Sequence, residues 1–284
     1  MACVNLNAVL PKAREGGYAV GAFNILDYAS MKAVVKAAEE LKAPVIIQTS
    51  VKTVQFWGYG PLVGWYRELA EASPVPVVLH LDHCKDLEVI RRCVEGGWSS
   101  VMIDASSKPF EENLELTAKV IEMARPAGVT VEAELGEIKG VEEEIAVSDS
   151  EARLADPEKA ALFCSKLKLD LLAPAIGTAH GIYKGEPRIA FDRLEKIARL
   201  TGLPLALHGG TGLGEEVFRR CIALGCAKVN ISTSLKHVFI DSFLAYHSAH
   251  AEEYEPIKYL GFQLQELKKD VVKHVRFFGG EGRA

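Results

Sequence analysis

Several things are scarce in this 284-residue chain. Cysteine occurs six times, at Cys3, Cys84, Cys93, Cys164, Cys221 and Cys226, and never as a Cys-x-x-Cys pair. In a chain too large to need staples these read as reduced thiols, and Cys84, although it follows His83, reads as a small buried hydrophobe rather than a metal ligand. No uninterrupted apolar run is long enough to span a bilayer, and the first residues, Met1 to Asn7, lack a basic-plus-apolar signal, which makes the cytoplasm the default location. Positive charge is also short: the formal net charge is -5. That balance offers no general attraction to nucleic acid or anionic lipid, so any anion must be held by a local pocket. Low-complexity stretches are absent, and a hydrophobic fraction of 49% with dispersed charges excludes disorder.

What is present has a regular order. Eight strand-like runs cover 19–24, 44–50, 76–83, 99–106, 129–136, 170–177, 203–210 and 227–233, and several, such as Val45-Ile46-Ile47 and Val77-Val78-Leu79, are continuously apolar. Such runs suit parallel strands covered by helices. Segments of helical periodicity lie between them, at 29–41, 111–127, 191–201 and 215–224. Strict alternation of strand and helix predicts an α/β fold, a TIM (β/α)8 barrel formed by the chain 1–284 as one domain. A doubly wound open sheet is disfavoured because polar residues end the third, fifth, sixth, seventh and eighth strands, all around a barrel rather than at one switch point. Beyond the eighth strand the pattern predicts extra C-terminal helices, one from about Leu235 and an amphipathic tail with Leu260, Leu264, Leu267, Val271, Val272 and Val275. This tail is placed to cap the barrel or to mediate dimer contacts.

Three histidines stand at the ends of apolar runs: His83 in Leu79-His80-Leu81-Asp82-His83, His180 in Gly177-Thr178-Ala179-His180, and His208 in Leu205-Ala206-Leu207-His208. On parallel strands of one barrel these ends converge on one face, where three imidazoles bind a zinc ion and leave a fourth position open. Asp82 and His83 are adjacent, so the strand must turn there for both to reach one site. Asp82 is then either a carboxylate beside a Lewis acid or a group that orients a histidine from behind. His80, deeper in the strand, reads as a hydrogen-bonded core residue. The loops Gly209-Gly210-Thr211-Gly212 and Asn230-Ile231-Ser232-Thr233 follow strands seven and eight, where barrel enzymes commonly hold a phosphate on free amides. Glu132 and Glu134 lie on strand five, and Glu142-Glu143-Glu144 in the next loop is either solvated surface or the source of a mobile base.

Together these residues resemble the class II, metal-dependent fructose-bisphosphate and tagatose-bisphosphate aldolases. The resemblance runs from Gly17-Tyr18-Ala19-Val20 and Phe23-Asn24 through His80 to His83, Val131 to Gly136, Gly177 to Gly181 and Lys184 to Pro187, and ends at His208 to Gly212. It implies reversible cleavage of a ketose 1-phosphate derivative to dihydroxyacetone phosphate and an aldehyde by way of an enediolate. His83, His180 and His208 are then the zinc ligands, Asp82 shuttles the proton of the acceptor carbonyl oxygen, and Glu142, in a mobile loop, exchanges the donor carbon's proton. Asp104 and Glu132 match an alternate, more buried metal position. Gly181, Lys184, Gly209, Thr211, Asn230 and Thr233 match the surroundings of the donor phosphate, with Gly210 and Ser232 in the same loops, and a monovalent cation, Na+ or K+, often binds there. The expected partner is a small sugar phosphate, with no nucleic acid or membrane, and the family resemblance implies a homodimer or homotetramer.

Some positions depart from the family pattern. Where it usually reads Asp-Pro-Arg-Lys-Tyr, this chain has Glu255-Pro256-Ile257-Lys258-Tyr259, so the arginine implicated in holding a second phosphate is missing. Ser107 stands where His is frequent, and Lys139 replaces a usual Gly before Glu142. Lys52 and Lys108, in the loops after strands two and four, bring positive charge that can serve the acceptor end beside Ser50. Fructose or tagatose 1,6-bisphosphate is the default substrate, and 6-deoxy-6-sulfofructose 1-phosphate, which gives sulfolactaldehyde, is the alternative. A metal-dependent hydrolase is a further reading, although its usual His-x-His is absent from strand one, which ends in Phe23-Asn24. A noncatalytic subunit of an aldolase complex is another, against which Asp82, the three histidines and Glu142 all argue.

Overall fold

A computed structural model describes residues 3–142, 145–147, 154–181, 183 and 187–284, with backbone alone at 139–142 and 145–147. Its strands are β1 (Val20–Asn24), β2 (Val45–Thr49), β3 (Val77–Cys84), β4 (Ser100–Ile103), β5 (Thr130–Leu135), β6 (Lys139–Glu142), β7 (Ile145–Val147), β8 (Leu171–Pro174), β9 (Ala179–His180), β10 (Leu205–Leu207) and β11 (Cys226–Ile231). The helices are α1 (Leu10–Gly16), α2 (Tyr28–Leu41), α3 (Val51–Trp57), α4 (Tyr59–Glu71), α5 (Leu87–Gly96), α6 (Phe110–Ala124), α7 (Pro157–Lys166), α8 (Phe191–Thr201), α9 (Glu215–Ala223), α10 (Thr233–Ala249) and α11 (Pro256–Phe277).

Eight strands close into a barrel in the order β1-β11-β10-β8-β5-β4-β3-β2, every pair parallel. These are the eight runs read from the sequence. Side chains two apart on a strand share a face, so each strand contributes one set to the barrel interior and one to the helix layer. The lower interior is apolar: Val20, Ala22, Ile46, Val78, Leu171, Ala173 and Ala206 pack on Leu6, Leu10, Ala13 and Tyr18, the N-terminal segment and α1 that plug the bottom. Stepping upward by two exchanges apolar for polar, because the same strands continue to Asn24, Gln48, His80 and Asp82, all buried. The barrel is sealed below and reactive above.

The C-terminal residues are tied to the first strand and helix of the barrel. Ala19 N donates to Phe278 O (2.9 Å), Gly282 N to Leu41 O (2.8 Å) and Ala284 N to Lys42 O (2.8 Å). Thus α11 packs on α2, with a Lys268–Glu40 ion pair between them, and the final residues brace the first strand and helix of the barrel. The amphipathic tail is therefore a fixed part of the barrel wall.

The structure corrects two local readings. The run 170–177 ends as a strand at Pro174, and His180 lies beyond it on β9. The Glu142 segment, expected as a loop, forms two strands: β6 pairs antiparallel with β7 and parallel with β9 in a separate three-stranded sheet. Its strands are only four, three and two residues long, too short to show a period in the sequence. Among the described residues no helix is long and apolar enough to cross a membrane.

Candidate active site

β3 delivers Asp82 and His83 to one place because it does turn there. His83 has φ +40, a left-handed conformation rare for a side chain with a Cβ, and the β3–β4 register shifts between Leu81 and Cys84. This kink puts two consecutive residues on the same side. His208 follows the end of β10 directly, and His180 comes from β9. Nitrogen atoms of the three imidazoles all lie within 4.8 Å of one another.

The tautomers are set from behind. His83 Nδ1 lies 3.1 Å from Asp104 Oδ2, and His208 Nε2 lies 2.7 Å from Glu132 Oε1. Each carboxylate accepts a proton-bearing nitrogen, which turns the other nitrogen of each ring, His83 Nε2 and His208 Nδ1, toward its neighbour at 2.9 Å. Two ring nitrogens facing each other that closely demand a shared positive charge. Zinc–nitrogen bonds of about 2.0–2.1 Å at a tetrahedral angle separate their nitrogens by about 3.3 Å, so a small shift admits an ion. Burial opposes a charged His83, but Asp82 and then Asp104 outweigh it and push its pKa well above the usual imidazole range. Burial dominates at His208 and moves it down. The residues fit a divalent cation.

A second group gathers below the first. His83, Asp104 and Glu134 also place ligand atoms within 4.8 Å of one another. Glu134 Oε2 accepts no hydrogen bond among the described residues, and burial together with the Asp104 charge pushes its carboxyl well above the usual range. Burial opposes ionisation of Asp104 too, yet the His83 hydrogen bond holds it below that range. Glu132, expected beside Asp104, is thus replaced there by Glu134. Glu132 instead holds His208 and ion-pairs with Lys228 (Oε2–Nζ 2.9 Å). Although burial works to raise it, Lys228 keeps it below the usual carboxylate range. His80 is the expected core histidine, with Nδ1 2.8 Å from Ser100 Oγ; burial and then Lys228 depress its pKa and keep it neutral. Cys84 is fully buried and its thiol is pushed up to about 12 by burial, which fits the inert reading; all six cysteines are free.

The sequence reading missed the clamp on Asp82. Asn24 Nδ2 donates to Asp82 Oδ2 (2.9 Å) and Asn230 Nδ2 to Oδ1 (3.2 Å), while Gln48 Nε2 donates to Asn24 Oδ1 (2.8 Å). The parallel register pairs Asn24 with Gln48. The available signal was positional: Asn24 ends β1, Gln48 follows the apolar run Val45-Ile46-Ile47 in β2, and Lys228 and Asn230 are two apart on a third strand.

Two cavities flank the histidines. One is lined by His180, Gly181, Gly209, Gly210, Thr211, Asn230, Ser232 and Thr233 and so unites the loops expected to hold a phosphate. There α10 starts at Thr233, one residue after Ser232, and the Ser234 amide of its first turn donates to Thr211 Oγ1 (3.3 Å); Ser232 Oγ, buried, has no partner among the described residues. Lys184 lies outside the described residues, and of Glu142 only its strand position is described. The second, a cleft of about 250 Å³, is lined by Ser50, Lys52, Gln55, Asp82, His83 and Lys85 among others. Asp86 also lines it, but its carboxylate caps α5 by accepting from Glu88 N and Val89 N. Lys108 is elsewhere engaged, 2.9 Å from Glu112, and Ile257 is 70% exposed at the start of α11.

Comparison with known proteins agrees with this geometry. The family described as fructose-bisphosphate aldolase class-II matches residues 4–283. A probable fructose-bisphosphate aldolase of Bacillus subtilis (strain 168) is 40% identical, with 100% of both chains covered. A sulfofructosephosphate aldolase of Alkalicoccus urumqiensis is 36% identical over 100% of this chain and 99% of its own. The crystal structure of the YdjI aldolase from Escherichia coli K12 superposes with a TM-score of 0.88 at 29% identity, covering 99% of each chain. The chain belongs to the class II fructose-bisphosphate aldolase family, whose members are generally metal-dependent lyases.

Proposed function

We propose that this protein, working as one catalytic domain over residues 1–284, is a zinc-dependent aldolase. It cleaves a ketose 1-phosphate derivative to dihydroxyacetone phosphate and an aldehyde, reversibly. The observation that carries the reading is the meeting of three imidazoles beside a clamped Asp82, between a glycine- and hydroxyl-lined cavity and an open cleft.

His83, His180 and His208 would hold the ion, which when bound supplies Lewis acidity toward the donor's oxygen atoms. Neutral imidazoles leave its double charge undiminished for that task. Asp82 takes the proton from the hydroxyl that becomes the aldehyde carbonyl, and the electron pair of the broken C–C bond stays with the donor carbon. Glu142, on the strand laced to His180 by the Gly140–His180 pairing, is assigned the proton exchange at that carbon. Gly181, Gly209, Gly210, Thr211, Asn230, Ser232 and Thr233, with Lys184, bind the donor phosphate, and a monovalent cation fits beside this anion. Asp104 with Glu134 offers the ion a deeper resting position.

The acceptor end falls in the cleft, where Ser50 and Lys52 face the substrate and the sequence lacks the family's arginine. Lys108, paired with Glu112, is not among the cleft residues. Fructose and tagatose 1,6-bisphosphate and the sulfofructose phosphate are the substrates to compare. The exposed apolar residues of α10 and α11 support a homodimer or homotetramer.

Chelation should abolish turnover, and zinc should restore it. Cleavage should release a triose phosphate without consuming water, and the ratio of rates on the three sugars identifies the acceptor. Full activity in metal-free protein, or a substrate–lysine adduct trapped by borohydride, would overturn the reading.

A further inference from the structure

Lys228 is 0% exposed and sits inside the barrel at the middle of β11. A buried ammonium is costly unless it is paired and hydrogen-bonded, so its retention calls for an account. It has two close partners. Its Nζ donates to Asn230 Oδ1 at 2.6 Å and lies 2.9 Å from Glu132 Oε2. Each leads to one of the two parts of the site: Asn230 Nδ2 to Asp82 Oδ1 (3.2 Å), and Glu132 Oε1 to His208 Nε2 (2.7 Å).

The donor inventory makes this arrangement directional. Lysine has donors only, so the atom of Asn230 that faces it must be the carbonyl oxygen, and the amide NH2 is thereby aimed at Asp82. An ionised carboxylate has acceptors only, so Asp82 accepts that NH2. On the other branch Lys228 holds Glu132 by Oε2 at 2.9 Å while Oε1 lies 2.7 Å from His208 Nε2, which turns Nδ1 of that ring toward His83. Without Lys228 the orientation of the Asn230 amide rests on Asp82 alone, at 3.2 Å, and the amide loses the 2.6 Å contact that pins its carbonyl end.

We propose that Lys228 is a positioning residue that fixes the orientation of the general base Asp82, through Asn230, and of the metal-facing nitrogen of His208, through Glu132. The inference rests on the aldolase reading above. Lys228 touches no substrate in this role; it acts through its two neighbours. It links proton transfer and metal binding through one nitrogen.

The test must separate positioning from charge balance, because Lys228→Met alone strands the Glu132 charge. The charge-balanced variant Lys228→Met/Glu132→Gln is therefore compared with Glu132→Gln, with Asn230→Ala and with the triple combination. Thermal melting and metal content by elemental analysis come first. Glu132→Gln should weaken zinc about tenfold in competition with a chromophoric chelator, in line with the loss of a carboxylate behind a ligand. Adding Lys228→Met at saturating zinc should lower kcat by a further factor of about ten or more, with KM for the ketose phosphate changing little. In the Asn230→Ala background the same step should cost less than about twofold, since the amide it orients is already gone. The proposal is overturned if Lys228→Met leaves kcat unchanged in the Glu132→Gln background, or if its cost is the same with and without Asn230. An Asp82→Ala variant that cleaves sugar phosphate normally would sink the underlying reading instead.

Discussion

Gly209 occupies a position that excludes every other residue. Its φ is +66, and a Cβ there would lie 2.4 Å from Ala179 O, a backbone atom that cannot swing away. The close approach brings β9 against the end of β10 and so brings His180 to His208. The contact is braced by Tyr183, whose hydroxyl accepts from Ala179 N (3.0 Å) and donates to Gly209 O (2.8 Å). Replacing Gly209 with Ala should cost about 1–3 kcal/mol of stability, and it should weaken zinc binding as well, because the strand bearing one ligand is displaced from the strand bearing another. Melting temperature and zinc competition measure the two effects separately. A Gly209→Ala protein with native zinc affinity would show that the approach is structural only.

At the scale of elements, the small sheet of β7, β6 and β9 stands apart from the barrel yet carries both His180 and Glu142. Its central strand is β6, hydrogen-bonded on both sides. Proline at Val141 removes an amide from that strand, which a central strand does not tolerate. The expected result is a kcat loss of about tenfold or more and weaker zinc binding, while far-ultraviolet circular dichroism and the melting temperature of the barrel stay near native. Unchanged kinetics would mean that the sheet neither places the base nor steadies the ligand. This division also explains what was legible beforehand. The barrel strands are buried on both faces, and burial writes itself as an apolar run, so all eight were readable from sequence. The His83 turn was readable because two consecutive site residues contradict the alternation of a strand. The strands of the added sheet are two to four residues long, too short for a period to show, so Glu142 looked like loop and His180 looked like the end of a barrel strand. Lys228 escaped notice, and Glu134 was seen on strand five without its place beside Asp104, because a polar residue in an apolar strand says nothing by itself about its partner; Glu132 lies nearly a hundred residues from Lys228 in the chain.

For the whole molecule, the surface of α10 and α11 is unusual. Ile240, Phe243 and Leu244 on α10 and Ile257 and Leu260 on α11 are 39–70% exposed, and the α10 set repeats at helical spacing. Scattered single apolar residues are ordinary on a surface, but a contiguous set marks an interface. Light scattering should give the mass of a dimer or tetramer, and Ile240→Glu with Leu244→Glu should shift it toward the monomer. A wild-type mass equal to one chain would remove the oligomer proposal. The closure of the barrel bears on how such a molecule is made. β1 finds its second neighbour only in β11, and the last residues hold α2 and the start of β1 in place. During synthesis at about 5–20 residues per second, β1 waits on the order of 10–40 s for its final partner. Throughout that interval the growing sheet exposes two unpaired edges to the cell. One pairing, β1 with β11, removes both edges at once, so the risk of misassembly falls on the incomplete sheet more than on the closed barrel.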